Sequence, residues 1–552
     1  MPSAPPSPAG DGTEAEASAL LGWLTDPEAP RLCLVTGAPG SGKTALLGWL
    51  AAYGPRSGRS RRRAPRMLVP LAGQSALGAA WTIADRLGVV ARSPGDLVHA
   101  LATSEARPAG RTVLLLTDLH AAAEPAALTR LIVELAGVGR VRLVVEARSG
   151  TPAPAVLRAE RRVTVVDLDG EPEPPGGASA EPAPPLPDLS DPAAVCAADP
   201  LLVTTAYVTG AALAGVPGTL DGPEPSARPG EGTADEHGGL RTAWMRAGQS
   251  LCREQAPAER ALVLLAALGD GADPRLRPAL AELAADAPWR VRWARHRGDL
   301  NPPWPGPVAV LGAAGGPPLE GMLLVGDPTG TVRLLHEADA SPAGRLAHAV
   351  PGRITALAPA PDGTVLLLDD RGRLHAVRGT APRPPYLERL TEAVSATLAR
   401  HPGTALAAIA GSVVVGDRLG SVHAFGLTGL HQSASHSGRV TAVAAVESET
   451  PFVCSGGADG SVRLWTPGRD THAEPLAERS SPVVSLHATE TPYGPLVAAA
   501  WADGLVELHR PEGGPTLSFR PGPPVRAVAV TGAGALLVGT DDSLVCLVPK
   551  ER

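Results

Sequence analysis

The sequence predicts a multidomain fold: an α/β core with a parallel sheet, a helical middle, and an all-β propeller of about six blades at the C-terminal end. Three observations predict it. A glycine-rich loop, Gly37-Ala38-Pro39-Gly40-Ser41-Gly42-Lys43-Thr44, sits between an apolar run and a helical one. A strand–turn–strand pattern recurs from Val325 to Pro549. Proline-rich stretches, most clearly residues 171–187, separate the parts.

The loop fills every fixed position of the phosphate-binding pattern G-x-x-x-x-G-K-[ST]. Residues 31–36 read as a buried parallel strand and residues 45–50 as the first turns of a helix, the context this motif needs. The N–H groups of residues 38–44, Pro39 excepted, would face phosphates at a helix N-terminus. The chain has 49 Lys and Arg, of which only Lys43 and Lys550 are lysines. A compact ammonium fits beside β- and γ-phosphates, whereas a broad guanidinium fits poorly, so retention of Lys43 supports the motif. The expectation is a P-loop NTPase core that takes ATP or ADP on residues 37–44, with Mg²⁺ held through the Thr44 hydroxyl.

The remaining strands of this core are expected at residues 67–71, 111–118, 141–148 and 162–168, with a helix at 76–87. The strand at 111–118 should end in the Walker B acid that helps hold Mg²⁺. Two registers are open. With Thr117 at the metal side the principal acid is missing. With Asp118 there, the acid is kept, and Leu119 or His120 stands where a catalytic Glu would be. Neither register supplies a general base, which predicts strong binding with slow or absent hydrolysis. Arg148 closes the next strand and is a candidate γ-phosphate sensor, the alternative being a solvated arginine.

Composition excludes several classes. Net charge is −7, so there is no overall basic footprint for nucleic acid. Cys33, Cys196, Cys252, Cys454 and Cys546 lie far apart, without metal-ligand spacing, which suits a reducing, cytoplasmic setting. No apolar run is long enough to span a bilayer, and the N-terminus lacks the basic start and apolar core of a signal peptide. Richness in Ala, Gly, Pro and Arg is the mark of a GC-rich genome of the actinobacterial kind, so alanine is not read as helix here.

The Walker A loop, the strand ending Thr117-Asp118-Leu119-His120, the strand ending in Arg148, and Val165-Val166-Asp167-Leu168-Asp169 together resemble the STAND class of signal-transducing P-loop NTPases, of the actinobacterial type. Asp199-Pro200-Leu201-Leu202 resembles the lid-helix stretch of that class, whose proline approaches the nucleotide, and Pro200 is carried over as a contact on that ground. Residues 256–268 and 275–285 resemble the start of its winged helix. The resemblance covers residues 18–300. It implies a core at 18–170, a lid helix and loop at 191–239 and a winged-helix-like region at 240–287; the composition itself makes 171–190 a Pro-rich linker and residues 1–17, which are Pro, Ser, Gly and acid, disordered. It also implies ligand-induced homo-oligomerisation. No Met-His-Asp motif for reading ADP is present. Between Arg241 and Asn301 ten Arg face seven Asp and Glu, too mild a bias for a DNA-binding reading.

Residues 288–552 form the repeat. Copies centre on Gly330, Gly372, Gly420, Gly460, Gly504 and Ser543, at steps of 42, 48, 40, 44 and 39 residues. That period, with a D-G pair between strands, is the signature of WD-repeat propeller blades. The Trp-Asp pair itself is absent, since Thr466 follows Trp465. Six copies predict six blades, or seven if one is unrecognisable. The last copy ends at Pro549 with no room for an outer strand. Residues 289–296, which alternate, are expected to supply it, the alternative being a linker pinned by its tryptophans. His336, His348, His375, His423, His431 and His509 show no metal-ligand spacing.

The function expected from these readings is an ATP-binding signalling switch. Its propeller senses a protein or ligand, and its nucleotide state controls conformation or assembly. The alternatives are an active ATPase of remodelling type and a propeller scaffold with a non-functional P-loop. Fewer than twenty residues precede the core, so an effector is expected in trans.

Overall fold

The computed structural model describes residues 13–53, 66–103, 112–139, 141–169, 185–213, 237–297, 299, 306–314, 319–346, 352–360, 363–377, 385–409, 411–426, 429–448, 451–469 and 474–550. It divides into two compact units, Met1–Gly232 and Thr233–Arg552.

The first unit contains α1 (Glu14–Thr25), β1 (Leu32–Gly37), α2 (Lys43–Tyr53), β2 (Arg66–Pro70), α3 (Ala76–Leu87), α4 (Pro94–Thr103), β3 (Thr112–Thr117), α5 (Pro125–Gly137), β4 (Val141–Arg148), α6 (Pro152–Glu160), β5 (Val163–Asp167), α7 (Pro192–Ala197) and α8 (Pro200–Leu213). The five strands are parallel, in the order β2-β3-β4-β1-β5. Both sheet faces are covered, so the central strands are largely apolar, Arg142 and Glu146 of β4 being the charged exceptions, and alternate residues serve different layers. Leu32, Leu34, Leu114, Leu116, Leu143 and Val145 pack with α3, α5 and α6. Cys33, Val35, Val113, Leu115 and Val144 pack with α1 and α2.

The expectation that residues 1–17 are disordered is corrected from Glu14 onward, where α1 begins. Glu14 and Glu16 occupy its first turn, where carboxylates favour the helix dipole, and Ala17, Leu20 and Trp23 are buried. Arg142 on β4 fastens the other end. Its guanidinium lies 4.0 Å from the Trp23 ring centroid and donates to the carbonyls of Trp23, Leu24 and Asp26. One cation thus stacks on an aromatic face and caps a helix C-terminus.

The second unit opens with α9 (Leu240–Leu251), α10 (Pro257–Ala267) and α11 (Leu276–Leu283), followed by β6 (Trp289–His296). Six small antiparallel sheets then follow one another. Their inner strands are Val310–Ala313, Ile354–Pro359, Ala405–Ile409, Val440–Val446, Val483–Thr491 and Ala527–Val530. Each inner strand contacts the next, and the last contacts the first, so the ring is closed with six blades. Residues 289–296 do supply the missing outer strand: β6 pairs antiparallel with Ser543–Pro549, from Ser543 opposite His296 to Pro549 opposite Trp289. The turn glycines at 330, 372, 420, 460 and 504, of which the last two follow an Asp directly, have positive φ, and at Gly460 an added Cβ would meet the Arg479 carbonyl oxygen at 2.0 Å.

One blade departs from the all-β expectation. Residues 354–377 give three strands, and α12 (Pro385–Leu398) follows where a fourth would run. Leu390, Val394 and Leu398 of α12 pack into the cluster of Leu366, Leu368, Leu406 and Val415, which fills the space between two blades.

The three helices before β6 belong to the propeller unit. The Ser250 hydroxyl donates to the Arg520 carbonyl at 2.9 Å, and an added Cβ on Gly522 would meet the Ala247 backbone at 2.6 Å. Lys550, the second of the two lysines, places Nζ 2.9 Å and 2.6 Å from the carbonyl oxygens of Ala284 and Ala285, just past α11. A cation on those carbonyls satisfies orphan acceptors at the negative end of a helix. Lys550→Ala is expected to cost about 1 kcal/mol, read as a lower urea midpoint of the second unit with an unchanged slope.

Candidate functional site

In the first unit, the loop from Gly37 to Thr44 leaves the carboxyl end of β1 and enters α2, with Gly40 and Gly42 at φ +80° and +82°. An added Cβ on Gly37 would lie 2.4 Å from the Ser41 hydroxyl and 3.1 Å from Leu168 Cβ, so a larger residue there would displace the Ser41 side chain. β1, β3 and β4 end side by side. At their ends lies a cleft of about 350 Å³ lined by Pro39, Gly40, Gly42, Lys43, Thr44, Ala45, Asp118, His120, Glu146 and Arg148.

Lys43 is buried, and its Nζ lies 2.6 Å from the Ala38 carbonyl and 3.1 Å from Ser41 Oγ. Burial lowers its pKa, while Glu146 and Asp169 pull the other way. Asp169, just past β5, accepts from the Ala38 N–H and, at 2.6 Å, from Ser149 Oγ. Thr117 ends β3 inside the sheet. Asp118, at φ +57°, is the residue of the two that lines the cleft. His120 also lines it. Its Nδ1 is buried without a hydrogen-bond partner, and burial holds the imidazole below its ordinary pKa, hence neutral near pH 7. Pro200 starts α8, which packs on α3, and is not among the cleft's lining residues.

Sequence reasoning missed Glu146. It lies within β4, two residues before Arg148, and is 2 % exposed. Its two carboxylate oxygens are 2.9 Å and 3.0 Å from Thr44 Oγ1, and it accepts a further bond from the Asp118 backbone N–H. The end of β3 carries one carboxylate, Asp118, and the edge gains a second, Glu146, from the neighbouring strand β4. The signal was present as a lone acid in an apolar strand. A charge is seldom buried there without a partner or a task.

Burial raises the Glu146 pKa, partly opposed by the Thr44 hydrogen bond. For a carboxyl raised on folding, the stability contribution is fullest below its unfolded pKa and is lost as pH rises through the folded one. Glu146→Gln, without added nucleotide, is therefore expected to raise the melting midpoint of the first unit at neutral pH. The gain should shrink as pH falls into the carboxylate range, as melts from pH 4 to 8 would show.

The residues fit a magnesium nucleotide in donor chemistry. Thr44, Asp118 and Glu146 supply the hard oxygens that Mg²⁺ takes. Lys43 and Arg148 supply cations beside a turn whose N–H groups open a helix.

The propeller offers different chemistry. His436 has a fully buried side chain. Its Nδ1 lies 3.1 Å from Asp459 Oδ1 and 3.0 Å from Ser461 Oγ, and its Nε2 lies 2.9 Å from Ser455 Oγ. The cluster ties the segment entering one blade to that blade's D-G turn. His375 and His423 pair differently, through Nε2 with Asp369 and Asp417 of their own hairpins, at 2.8 Å and 2.9 Å. His348 lies outside the described residues. No group of three or more His, Cys, Asp or Glu placed to hold a metal occurs among the described residues.

The protein-family profile for the WD domain, G-beta repeat, matches residues 429–466, which include the His436 cluster. The C-terminal ring is a WD40-repeat β-propeller. Among solved structures, the WD40 β-propeller domain of Doa1 is similar at 13 % identity, covering 48 % of this chain and 97 % of that one, with a TM-score of 0.33. The computationally designed Ika8 protein is similar at 19 % identity, covering 44 % and 71 %, with a TM-score of 0.29. No curated protein matches. The fold rests on the strand pairing above rather than on these likenesses. A WD40 propeller points to a protein-interaction or scaffold role, and no described helix is long and apolar enough to cross a membrane.

Proposed function

We propose that the chain is an ATP-binding regulatory switch whose WD40 propeller engages a protein partner and whose nucleotide state controls conformation or assembly. The observation that carries this is the convergence of Lys43, Thr44, Asp118, Glu146 and Arg148 on one cleft at the carboxyl edge of a parallel sheet.

Lys43 would exchange the Ala38 carbonyl for phosphate oxygens. The loop N–H groups would orient the phosphate chain, and the Ala38 N–H would have to leave Asp169 to take part. Arg148 would read the γ-phosphate. A contact made to ATP and not to ADP is what lets a ligand shift a two-state equilibrium. When bound, Mg²⁺ supplies charge neutralisation between phosphates. Hydrolysis in this reading is slow or absent: Glu146 is engaged with Thr44, and no Glu follows Asp118 at the end of β3, where Leu119 and the neutral His120 stand.

The test is calorimetric titration with ATP and with ADP in Mg²⁺, on the full chain and on Lys43→Ala, with phosphate release followed in parallel. Tight binding lost in the variant, with turnover near background, supports the switch. Fast turnover would favour a working ATPase, and no binding by the unaltered chain would leave a propeller scaffold.

A further inference from the structure

We propose that Glu146 on β4, rather than Asp118 at the end of β3, is the principal acid of the magnesium site. This rests on the nucleotide reading above and names the residue that makes binding metal-dependent.

The geometry points one way. The hydroxyl that would hold Mg²⁺ belongs to Thr44, and its partner is Glu146, through both carboxylate oxygens at 2.9 Å and 3.0 Å. A carboxylate placed on the magnesium-side hydroxyl fixes its direction and sets negative charge beside the cation. No hydrogen bond joins the Asp118 side chain to Thr44 among the described residues. Asp118 instead gives its backbone N–H to Glu146, orienting the buried acid. Strand order makes the exchange possible. β4 lies between β3 and β1, so its carboxyl end is nearer the loop than that of β3. Glu146 stands opposite Val35, two residues before the loop's first glycine. Lys43 and the Thr44 hydroxyl offset only part of the cost of burying the Glu146 carboxylate, and a divalent cation would offset more of it.

Three forms decide the point: the unaltered full chain, E146Q and D118N. ATP affinity is measured by calorimetry in Mg²⁺ and again in EDTA. The quantity read is the metal enhancement, the ratio of the two affinities. An enhancement of tenfold or more is expected in the unaltered chain. In E146Q it should fall below threefold while affinity in EDTA stays within threefold. D118N should keep most of it. E146D, which retains the charge on a shorter stem, should recover part of what E146Q loses and answers the question if E146Q does not fold. Full enhancement in E146Q, or an equal loss in D118N, overturns the assignment. So does ATP binding by the unaltered chain with no enhancement, which leaves the nucleotide reading standing. Absence of ATP binding by the unaltered chain in either buffer sinks both.

Discussion

Lys43→Ala is expected to weaken ATP binding by roughly 100-fold, about 3 kcal/mol, the upper range for a charge-assisted hydrogen bond. The side chain is buried, its ammonium points back over the loop to the Ala38 carbonyl, and no other lysine lies in this unit. Alanine removes the cation and leaves Ala38 and Ser41 without that donor. The loop itself should persist, because its turn depends on Gly40 and Gly42 and its helix on the packing of Leu46, Leu47 and Leu50. Lys43→Arg separates charge from shape. A guanidinium keeps the charge but is too broad for the position, so the arginine variant should recover less than a tenth of the lost affinity. Calorimetry on the three forms reads this directly. Near-complete recovery by arginine would show that net charge alone attracts the ligand.

The second large effect is expected at the seam of the ring. Trp289 is completely buried at the start of β6, opposite Pro549, and its indole N–H donates to the Ser518 carbonyl at 2.8 Å. Trp289→Ala leaves a cavity and an unpaired carbonyl, a loss of about 3–5 kcal/mol for a buried aromatic. Because the residue lies in the closing strand, the loss should be local first. Hydrogen exchange should quicken in Ser543–Pro549 before it does in the inner blades. Uniform loss of protection around the whole ring would mean that the propeller opens as one cooperative unit.

Much of this was legible in the sequence, for reasons that differ between elements. β4 and α3 fall at the residues that strand and helix patterns indicate, because a mostly apolar run and a Ser75 cap followed by Gly88 are local signals. The Ser75 hydroxyl oxygen accepts from the Gly78 N–H, and Gly88 ends the helix at φ +65°. The closing strand was readable from its alternation and from the short last repeat. α12 was not, because it interrupts a run of strand repeats that sets the expectation of a fourth strand there. Its traces were the helical spacing of Leu387, Leu390, Val394 and Leu398 and the step of 48 residues between Gly372 and Gly420, the longest of the five. α1 was hidden in a segment whose opening is proline-rich, although the burial of Leu20 and Trp23 is what holds it. Glu146 escaped because a sequence shows the strand on which an acid lies but not which strand ends beside the loop. The order β2-β3-β4-β1-β5 carries that information, and it is a long-range property.

The borrowed outer strand has a consequence for how the chain is made. His296 leaves the ribosome long before Ser543, the residue it pairs with, so β6 waits through the synthesis of five and a half blades with its hydrogen-bonding edge unpaired. Such an edge is a template for the wrong neighbour, another nascent copy included. The fastening is of high contact order and comes last. A chain broken off before Ser543 would therefore leave a ring with two open edges, a species prone to join others edge to edge rather than a slightly shortened propeller.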